Sequence, residues 1–349
     1  MPCLHGTRAP ESAGPAILRQ LHHGYRPPRQ ANSRSRQRFV SGPGTDMKAR
    51  DGLLSLPMSE DNLQPLPEPE DMKAALSGAL PQFRQIQWVR TIASTNASLM
   101  ELARADRGQL ARPWLLGAHL QEHGRGRSGR SWQNREGANL MFSCAFDVFL
   151  PPRKLPTLSP LVGLAACEAL RKLISPELRL NLTMKWPNDL QWRYAKLAGI
   201  LVETTRAGAS RLSPDHYVAI IGMGINLDDA RALSKSLNRS VSDWSEIARE
   251  DPPAAQARPS AMVACIAKAW YDSLNEVTAH GFDFLPERYA HVDALAGQHI
   301  HIIEQDRIIQ AGIACGVDTN GQLQLRTPSG QVGVSVGEVS VRRRQEYPE

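Results

Sequence analysis

The 349-residue chain lacks any long uninterrupted run of apolar residues. A membrane-spanning helix needs roughly 18 to 20 consecutive apolar residues, and no stretch approaches that length. The apolar core of a secretory signal peptide is also missing. Hydrophobic residues still make up 42% of the chain, which is enough for a sizeable core. We therefore expect a soluble protein of two domains, or of one large domain with attachments.

Cysteine is scarce and scattered. The five cysteines stand at positions 3, 144, 167, 265 and 315, without a C-x-x-C pair. This spacing predicts neither a disulfide framework nor a zinc site. Cys144 and Cys167 lie within apolar runs, where a free thiol packs as a small hydrophobic side chain. The pattern suits a reducing compartment, and we expect the protein in the cytoplasm.

Excess positive charge is confined to the beginning of the chain. Residues 1–50 carry nine of the 41 Lys and Arg residues but only two of the 35 Asp and Glu residues. The remainder therefore holds 32 basic and 33 acidic residues. Because the rest of the chain is close to neutral, the net charge of +6 gives little support to nucleic-acid binding.

The N-terminal segment also differs from the rest in composition. Residues 1–71 are rich in Arg, Pro, Ser, Gly and Gln, and their few apolar residues show no sustained period. Such a composition buries too little surface to offset the entropy of ordering, so we expect a disordered extension. It is compatible with a transit peptide, or with a true start at Met47, Met58 or Met72.

From Met72 onward, the periodicity predicts alternating strands and helices. Residues 85–93 read as a strand, and Ser94 or Thr95 can cap a helix that runs through Ala105. Further strands are predicted at 115–121, 139–146, 178–185 and 216–223, and further helices at 159–174, where Ser159 is the cap, and at 260–280. In the third of these strands Leu178, Leu180, Leu182 and Met184 face inward, which places Lys185 on the polar face. Residues 228–258 are polar and are predicted to be irregular.

The last part of the chain has a different character. From about residue 295 to residue 344, short strands are separated by the hairpin signals Thr319-Asn320-Gly321 and Ser329-Gly330. Their even spacing predicts a small β-barrel.

Residues 124–132 (GRGRSGRSW) place three glycines and three arginines in nine positions. Glycine permits sharp bends and close approach of the backbone to a ligand. The forked guanidinium groups match phosphate and carboxylate oxygens. An exposed solubilising loop is the alternative interpretation, but Trp132 gives the segment an aromatic anchor. The composition favours a loop that holds a phosphorylated intermediate.

Several motifs together resemble those of the biotin protein ligases, which activate biotin with ATP and transfer it to a carrier lysine. The resemblance runs from about Ile86 to Arg344. Its motifs are Ser94-Thr95-Asn96, Gln121, the 124–132 loop, GANL at 137–140, KWPND at 185–189, KLAGILVE at 196–203 and GMGIN at 222–226. The 124–132 loop followed by KWPND is highly specific, whereas either motif alone is only suggestive.

The resemblance implies an α+β fold. A mixed, mostly antiparallel sheet backed by helices, of the type found in class II synthetases and lipoate ligases, would form a catalytic domain at 72–290. An SH3-like barrel would follow at 295–344. Many bacterial ligases carry a winged helix-turn-helix domain before the catalytic domain and act as repressors. No three-helix pattern precedes Ile86, so we expect a monofunctional ligase that does not bind DNA.

The resemblance also assigns site residues. Lys185 and Arg127 would be catalytic, with Lys185 neutralising the biotin carboxylate and the α-phosphate of ATP. The implied biotin-binding residues are Ser94, Thr95, Asn96, Gln121, Arg125, Gly126, Arg127 and Lys185. The implied nucleotide-binding residues are Arg130, Trp132, Asn188, Gly222, Gly224, Asn226 and Trp244.

Several of these assignments have a structural alternative. Ser94-Thr95-Asn96 is equally suited to helix capping, and capping and ligand binding can coexist. Asn188 and Asp189 could orient Lys185 or approach magnesium, or simply form a turn after Pro187. Trp244 could stack on adenine or belong to a hydrophobic cluster. Glu122-His123 and the long 227–258 stretch are less typical of the family, and they leave the adenine contacts open.

The implied reactants are ATP with Mg²⁺, and biotin as the substrate. The implied partner is the biotin carboxyl carrier protein of acetyl-CoA carboxylase, with no membrane and no DNA partner, and a homodimer is compatible with the sequence. The metal ligands are not indicated. The two alternatives are a lipoate or octanoate ligase of the same fold, and a biotin-responsive DNA-binding regulator.

Overall fold

The computed structural model describes residues 66–106, 110–207, 213–337 and 340–343. Most of the proposed N-terminal extension, residues 1–65, therefore lies outside the described residues, as do the expectations of disorder, of a transit peptide and of a later start. Helix α1 spans Pro69–Ala79, so the end of that extension is helical. Proline in the first turn and the acidic pair Glu70 and Asp71 favour a helix N-terminus at this point.

A seven-stranded sheet forms the centre of the larger domain. Its strands are β1 (Gln85–Ile92), β2 (Trp114–Gln121), β3 (Asn139–Phe149), β4 (Leu182–Lys185), β5 (Asp189–Trp192), β6 (Ala195–Arg206) and β7 (His216–Asn226). Their order is β1-β2-β3-β7-β6-β5-β4. The β1–β2 pair is parallel, and the other five pairs are antiparallel. The mixed, mostly antiparallel sheet predicted from the resemblance is confirmed.

Helices cover both faces of this sheet. They are α2 (Thr95–Ala105), α3 (Leu158–Arg171), α4 (Ala230–Leu237), α5 (Trp244–Glu250), α6 (Pro252–Ala255), α7 (Pro259–His280) and α8 (Leu285–Ala290), and short 3₁₀ turns lie at Arg127–Gly129, Pro152–Thr157 and Arg179–Asn181. The alternation of β3 explains the layers. Leu140, Phe142 and Cys144 enter the large core with α3 and α7, whereas Ala145 faces the smaller cluster under α2. Among the described residues, no helix is both long and apolar enough to cross a bilayer.

The C-terminal part is an all-antiparallel sheet. Its strands are β8 (His299–Glu304), β9 (Arg307–Val317), β10 (Leu323–Thr327), β11 (Gly330–Val334) and β12 (Ser340–Arg343), in the order β11-β10-β9-β8-β12. The turn between β9 and β10 docks on the larger domain. Trp186 donates its indole N–H to the carbonyl of Gly321 at 2.9 Å, and Thr157 donates its hydroxyl to the carbonyl of Asn320 at 2.8 Å.

The structure corrects three predicted elements. Strand β4 begins at Leu182, because the preceding residues form a 3₁₀ turn that leaves Leu180 66% exposed. Ser159 does not cap α3, which begins one residue earlier, and its hydroxyl instead donates to the carbonyl of Pro187 at 3.1 Å. The stretch predicted to be irregular contains α4, α5 and α6, the last two capped by the carboxylates of Asp243 and Asp251.

Candidate active site

A cavity of about 580 Å³ opens over the middle of the main sheet. Its walls come from the start of α2, the 124–132 loop, the segment between β4 and β5, and the central strands β6 and β7. Most of the predicted site residues line it: Ser94, Thr95, Asn96, Gln121, Arg125, Gly126, Arg127, Arg130, Trp132, Lys185, Asn188, Gly222 and Gly224. Segments far apart in the sequence are thus brought to one place.

One end of the cavity is polar and uncharged. Helix α2 starts here because the Ser94 hydroxyl accepts from the backbone N–H of Ala97 at 3.4 Å. The Gln121 side-chain carbonyl accepts from the backbone N–H of Thr95 at 2.8 Å. The Thr95 and Ser143 hydroxyls lie 2.7 Å apart. These buried groups offer both donors and acceptors to a ligand.

Two glycines of β7 make room for large side chains on the cavity wall. A Cβ atom at Gly222 would lie 2.1 Å from Oδ1 of Asn96, and one at Gly224 would lie 2.5 Å from Cε2 of Trp132. The space above these glycines is therefore filled by protein side chains. Their role in the structure is to seat Asn96 and Trp132, while both glycines still border the cavity.

The 124–132 loop folds back on itself over the cavity. The backbone N–H of Gly126 donates to the carbonyl of Arg130 at 2.7 Å, and that of Trp132 donates to the carbonyl of Gly124 at 2.8 Å. At the tip, Ser128 has a φ of +54°, a left-handed conformation that L-residues adopt at a cost. This narrow hairpin brings its three arginines to the cavity lining.

The other end of the cavity is rich in positive charge. Lys185 is 9% exposed, and the ammonium of Lys196 contacts the carboxylate of Asp189 at 2.6 Å. Burial lowers the pKa of Lys196, and Asp189 offsets part of that shift. Burial likewise lowers the pKa of Arg127 and of Arg239. With Asp189 as the acidic residue in the described lining, this end favours a polyanion such as a phosphate chain.

The C-terminal sheet closes one wall of the cavity. Val341 and Arg342 of β12 line it. Arg127 donates one guanidinium N–H to Oδ1 of Asn188 at 3.1 Å and another to the backbone carbonyl of Gly337. The loop, the KWPND segment and the C-terminal part therefore meet at this arginine.

Both parts of the chain are similar to known proteins. A model of the Biotin/lipoate A/B protein ligase family matches residues 88–226, and a model of the Biotin protein ligase C terminal domain matches residues 296–342. The bifunctional ligase/repressor BirA of Salmonella typhimurium is 30% identical over 251 residues, which are 72% of this chain and 72% of the relative. The chain belongs to the biotin protein ligase family.

Two further relatives agree with this membership. The biotin–[acetyl-CoA-carboxylase] ligase of Paracoccus denitrificans is 30% identical over 253 residues, which cover 70% of this chain and 96% of the relative. The solved structure of the biotin protein ligase from Aquifex aeolicus in complex with biotin and ATP is 25% identical. It aligns with a TM-score of 0.58 over 75% of this chain and 100% of that one.

Two predicted nucleotide-binding residues, Asn226 and Trp244, are not among the lining residues given above, and their role stays a prediction. The Asn226 amide donates to the carbonyls of Lys196 and Ser242 at 3.2 and 3.1 Å, so it ties β7 to β6 and to the segment before α5. Trp244 is 1% exposed in the core, and its indole N–H donates to the carbonyl of Ala254 at 3.0 Å. Neither residue belongs to the cavity wall.

Sequence reasoning also missed residues that the fold brings to the site. These are Ser143, Lys196, Arg239 and Arg342, which line the cavity, and Glu203, which contacts Arg125 at 2.6 Å. The sequence could have indicated Ser143 and Lys196. Ser143 alternates with the core residues of β3 and so faces the opposite side of the sheet, and Lys196 is the first residue of the KLAGILVE motif. Arg239 and Arg342 lie in segments whose position depends on the tertiary fold.

Proposed function

We propose that this protein is an ATP-dependent biotin protein ligase. It would form biotinyl-5′-AMP and then transfer biotin to a lysine of the biotin carboxyl carrier protein of acetyl-CoA carboxylase. The observation that carries the proposal is a single cavity with an uncharged, hydrogen-bonding end and a strongly basic end. Biotin pairs a neutral ureido ring with a carboxylate, and ATP brings the phosphates. The names of the relatives, and the Aquifex complex with biotin and ATP, support this assignment.

The uncharged end would hold the ureido ring. That ring has two N–H donors and one carbonyl acceptor, and it requires a site with both kinds of group. Thr95, Asn96 and Gln121, held by the bonds described above, provide them, with Ser94 and the backbone around Gly126 beside them. Because these side chains are fixed by one another, little ordering entropy is lost on binding.

The basic end would carry the first chemical step. An oxygen of the biotin carboxylate attacks the α-phosphorus, the bond from that phosphorus to the bridging oxygen breaks, and pyrophosphate leaves. Both reactants are anionic, so cations are needed to bring them together. Lys185 would neutralise charge at the reacting centre, and Arg127 and Arg130 would contact the adenylate. This is catalysis by positioning and by electrostatic stabilisation.

Magnesium would enter with the nucleotide. Mg²⁺ at such sites is bound through one or two carboxylates together with substrate phosphates and water. Asp189 places a carboxylate on the cavity wall and fits that role, with Asn188 beside it. No cluster of three or more His, Cys, Asp or Glu residues suited to a metal occurs among the described residues.

The adenine would lie against Trp132. Its indole lines the cavity above Gly224 and offers an aromatic face for stacking. The 124–132 loop would then close over the mixed anhydride and exclude water, which would otherwise hydrolyse it. In the second step the amine of the carrier lysine attacks the acyl carbon, and AMP leaves.

The reaction fits a cytoplasmic enzyme that needs no DNA partner. A transfer assay tests it: purified protein, biotin, Mg²⁺ and ATP are incubated with an apo carrier domain, and the carrier is analysed by intact mass. Carrier that gains biotin only when ATP and biotin are both present would support the proposal. An unmodified carrier with a folded protein would contradict it, and modification by lipoate in preference to biotin would replace it with a lipoate ligase.

A further inference from the structure

Glu203, on β6, holds two residues of the cavity wall at once. Its two carboxylate oxygens accept from Nη2 of Arg125 at 2.6 and 2.7 Å. One of these oxygens also accepts from Nδ2 of Asn96 at 3.0 Å. The Glu203 side chain is 28% exposed. Charge-assisted bonds of this kind are stronger than bonds between neutral groups.

The Arg125–Glu203 ion pair stands at the border between two cavities. Arg125 lines the site cavity, and together Arg125 and Glu203 line a second cavity of about 440 Å³ against helix α2. The pair is therefore part of the partition between them. It also links the first turn of the 124–132 loop to the sheet.

The carboxylate of Glu203 determines the direction of the hydrogen bonds at the uncharged end. A carboxylate can only accept, so Asn96 must turn its NH₂ group toward Glu203 and its carbonyl toward Ser143. The Ser143 hydroxyl consequently donates to Oδ1 of Asn96, at 2.6 Å. With its proton used there, Ser143 can act only as an acceptor toward the Thr95 hydroxyl at 2.7 Å, which also lies within donating distance of Oε1 of Gln121 at 3.2 Å. Glu203 and the backbone carbonyl of Leu201, which accepts from the same Asn96 nitrogen at 3.4 Å, therefore set the direction of this chain of hydrogen bonds.

We propose that Glu203 is a positioning residue for the ureido-binding end of the cavity. Its negative charge orients the Asn96 amide, and through it the Ser143 and Thr95 hydroxyls, and holds Arg125 against the cavity. The inference rests on the proposed function, because it identifies biotin as the ligand of that end. We expect ATP contacts to be spared, because the partners of Glu203 described above, Asn96 and Arg125, belong to the ureido-binding end.

Calorimetric titration of the full chain with biotin and, separately, with MgATP tests the proposal. Glu203→Gln keeps the shape but allows the side chain to present an NH₂ group to Asn96. We expect roughly tenfold weaker biotin binding and unchanged ATP binding. Glu101→Gln is the matched control, because Glu101 lines the second cavity and the change removes the same charge. Binding of both ligands should be unchanged in this control.

A second variant separates charge from size. Glu203→Asp keeps the charge, and we expect its biotin affinity to fall between those of the wild type and Glu203→Gln. Any one of three results would overturn the inference alone. Glu203→Gln and Glu101→Gln could bind biotin equally well, or Glu203→Gln could weaken the binding of biotin and of ATP equally. The third such result is that Glu203→Asp and Glu203→Gln weaken biotin binding equally. A wild-type protein that binds ATP but no biotin would overturn the proposed function, and the inference with it.

Discussion

Lys185 is a nearly buried cation on the wall of a cavity. Burying a charged group is costly unless it is paired, and two anionic reactants would add favourable charge beside Lys185. We expect Lys185→Ala to lower adenylate formation by roughly two to three orders of magnitude, with little loss of thermal stability. Biotin-dependent release of pyrophosphate measures the effect. The exposed Lys172→Ala should match the wild type, and a loss of only a few-fold in Lys185→Ala would remove Lys185 from this role.

Gly222 and Gly224 offer a paired test of the two ends of the cavity. Alanine at Gly222 must displace the Asn96 amide, and alanine at Gly224 must displace the Trp132 indole. We therefore expect Gly222→Ala to raise the KM for biotin and Gly224→Ala to raise the KM for ATP, each by roughly tenfold or more. Steady-state kinetics with each substrate varied in turn distinguishes the two. Identical profiles for the two variants would contradict the assignment of the ends.

The residues that the sequence placed correctly are those with fixed local neighbours. Gln121 ends a strand, Ser94 caps a helix, and Lys185 ends β4, so short-range pattern was enough. Trp244 begins a capped helix and packs into the core, which the sequence pattern did not show. Arg239 and Arg342 could not be found, because only tertiary contacts bring α4 and β12 to the cavity.

The 124–132 loop is positioned by contacts of its side chains with other segments, among them Arg125 with Glu203 and Trp132 with Gly224. Arg127 links it to Asn188 and to the carbonyl of Gly337. We expect Arg127→Gly to weaken the closed loop, so that biotinyl-AMP escapes and modifies bystander proteins. Western blotting for biotin on added serum albumin measures that release. Arg153→Gly, an exposed change outside the cavity lining, is the control, and an Arg127→Gly enzyme that labels only the carrier at the wild-type rate would refute the expectation.

Strand β4 carries Lys185 and is short, so it depends on its neighbours. Beyond β5, it pairs with the segment around Asp293: Met184 donates to the carbonyl of Val292 at 2.7 Å and accepts from the N–H of Ala294 at 2.9 Å. Burial raises the pKa of Asp293 from 3.8 to about 6, although bonds from backbone N–H groups partly oppose the shift. Relative to the unfolded chain, folding therefore favours the protonated form of this carboxyl.

This shift predicts a pH-dependent stability. The contribution of Asp293 is fully present below about pH 4 and is lost as the pH rises through about 6. Relative to Asp293→Asn, the wild type should lose about 2 to 3 kcal/mol of unfolding free energy between about pH 4 and pH 7. Urea unfolding across this range provides the measurement, with the exposed Asp283→Asn as control. Parallel pH profiles for the wild type and Asp293→Asn would contradict it.

Long alternating strands were the elements best predicted from the sequence. β3 and β7 are paired along their whole length, so their pattern reflects burial directly. Leu178 and Leu180 continue the same alternation of leucines, but they lie in and beside a 3₁₀ turn, where the alternation does not indicate burial. The helices after residue 228 were overlooked although Asp243 with Glu246, and Asp251 with Pro252, form recognisable helix starts. Their mixed polarity hid those signals.

At the scale of the whole molecule, the cavity walls described above come from residues 94–342 of the chain. We expect deletion of residues 1–65 to leave adenylate formation and carrier modification unchanged, because the walls described above supply both ends of the proposed site. Transfer assays on the full and shortened chains test this. A DNA-binding role of that basic segment predicts instead that the full chain, but not the shortened one, retards a DNA duplex in a gel. Loss of carrier modification on deletion would contradict our expectation.

The contribution of β12 to the cavity has a consequence for biosynthesis. Chains fold from the N-terminus as they leave the ribosome, and the larger domain would be made well before the last strand. Yet Val341 and Arg342 reach the cavity only after β12 has paired with β8. A nascent chain therefore has an open-walled site until its final strand is in place. Products that terminate before β12 would lack this part of the wall beside a reactive anhydride.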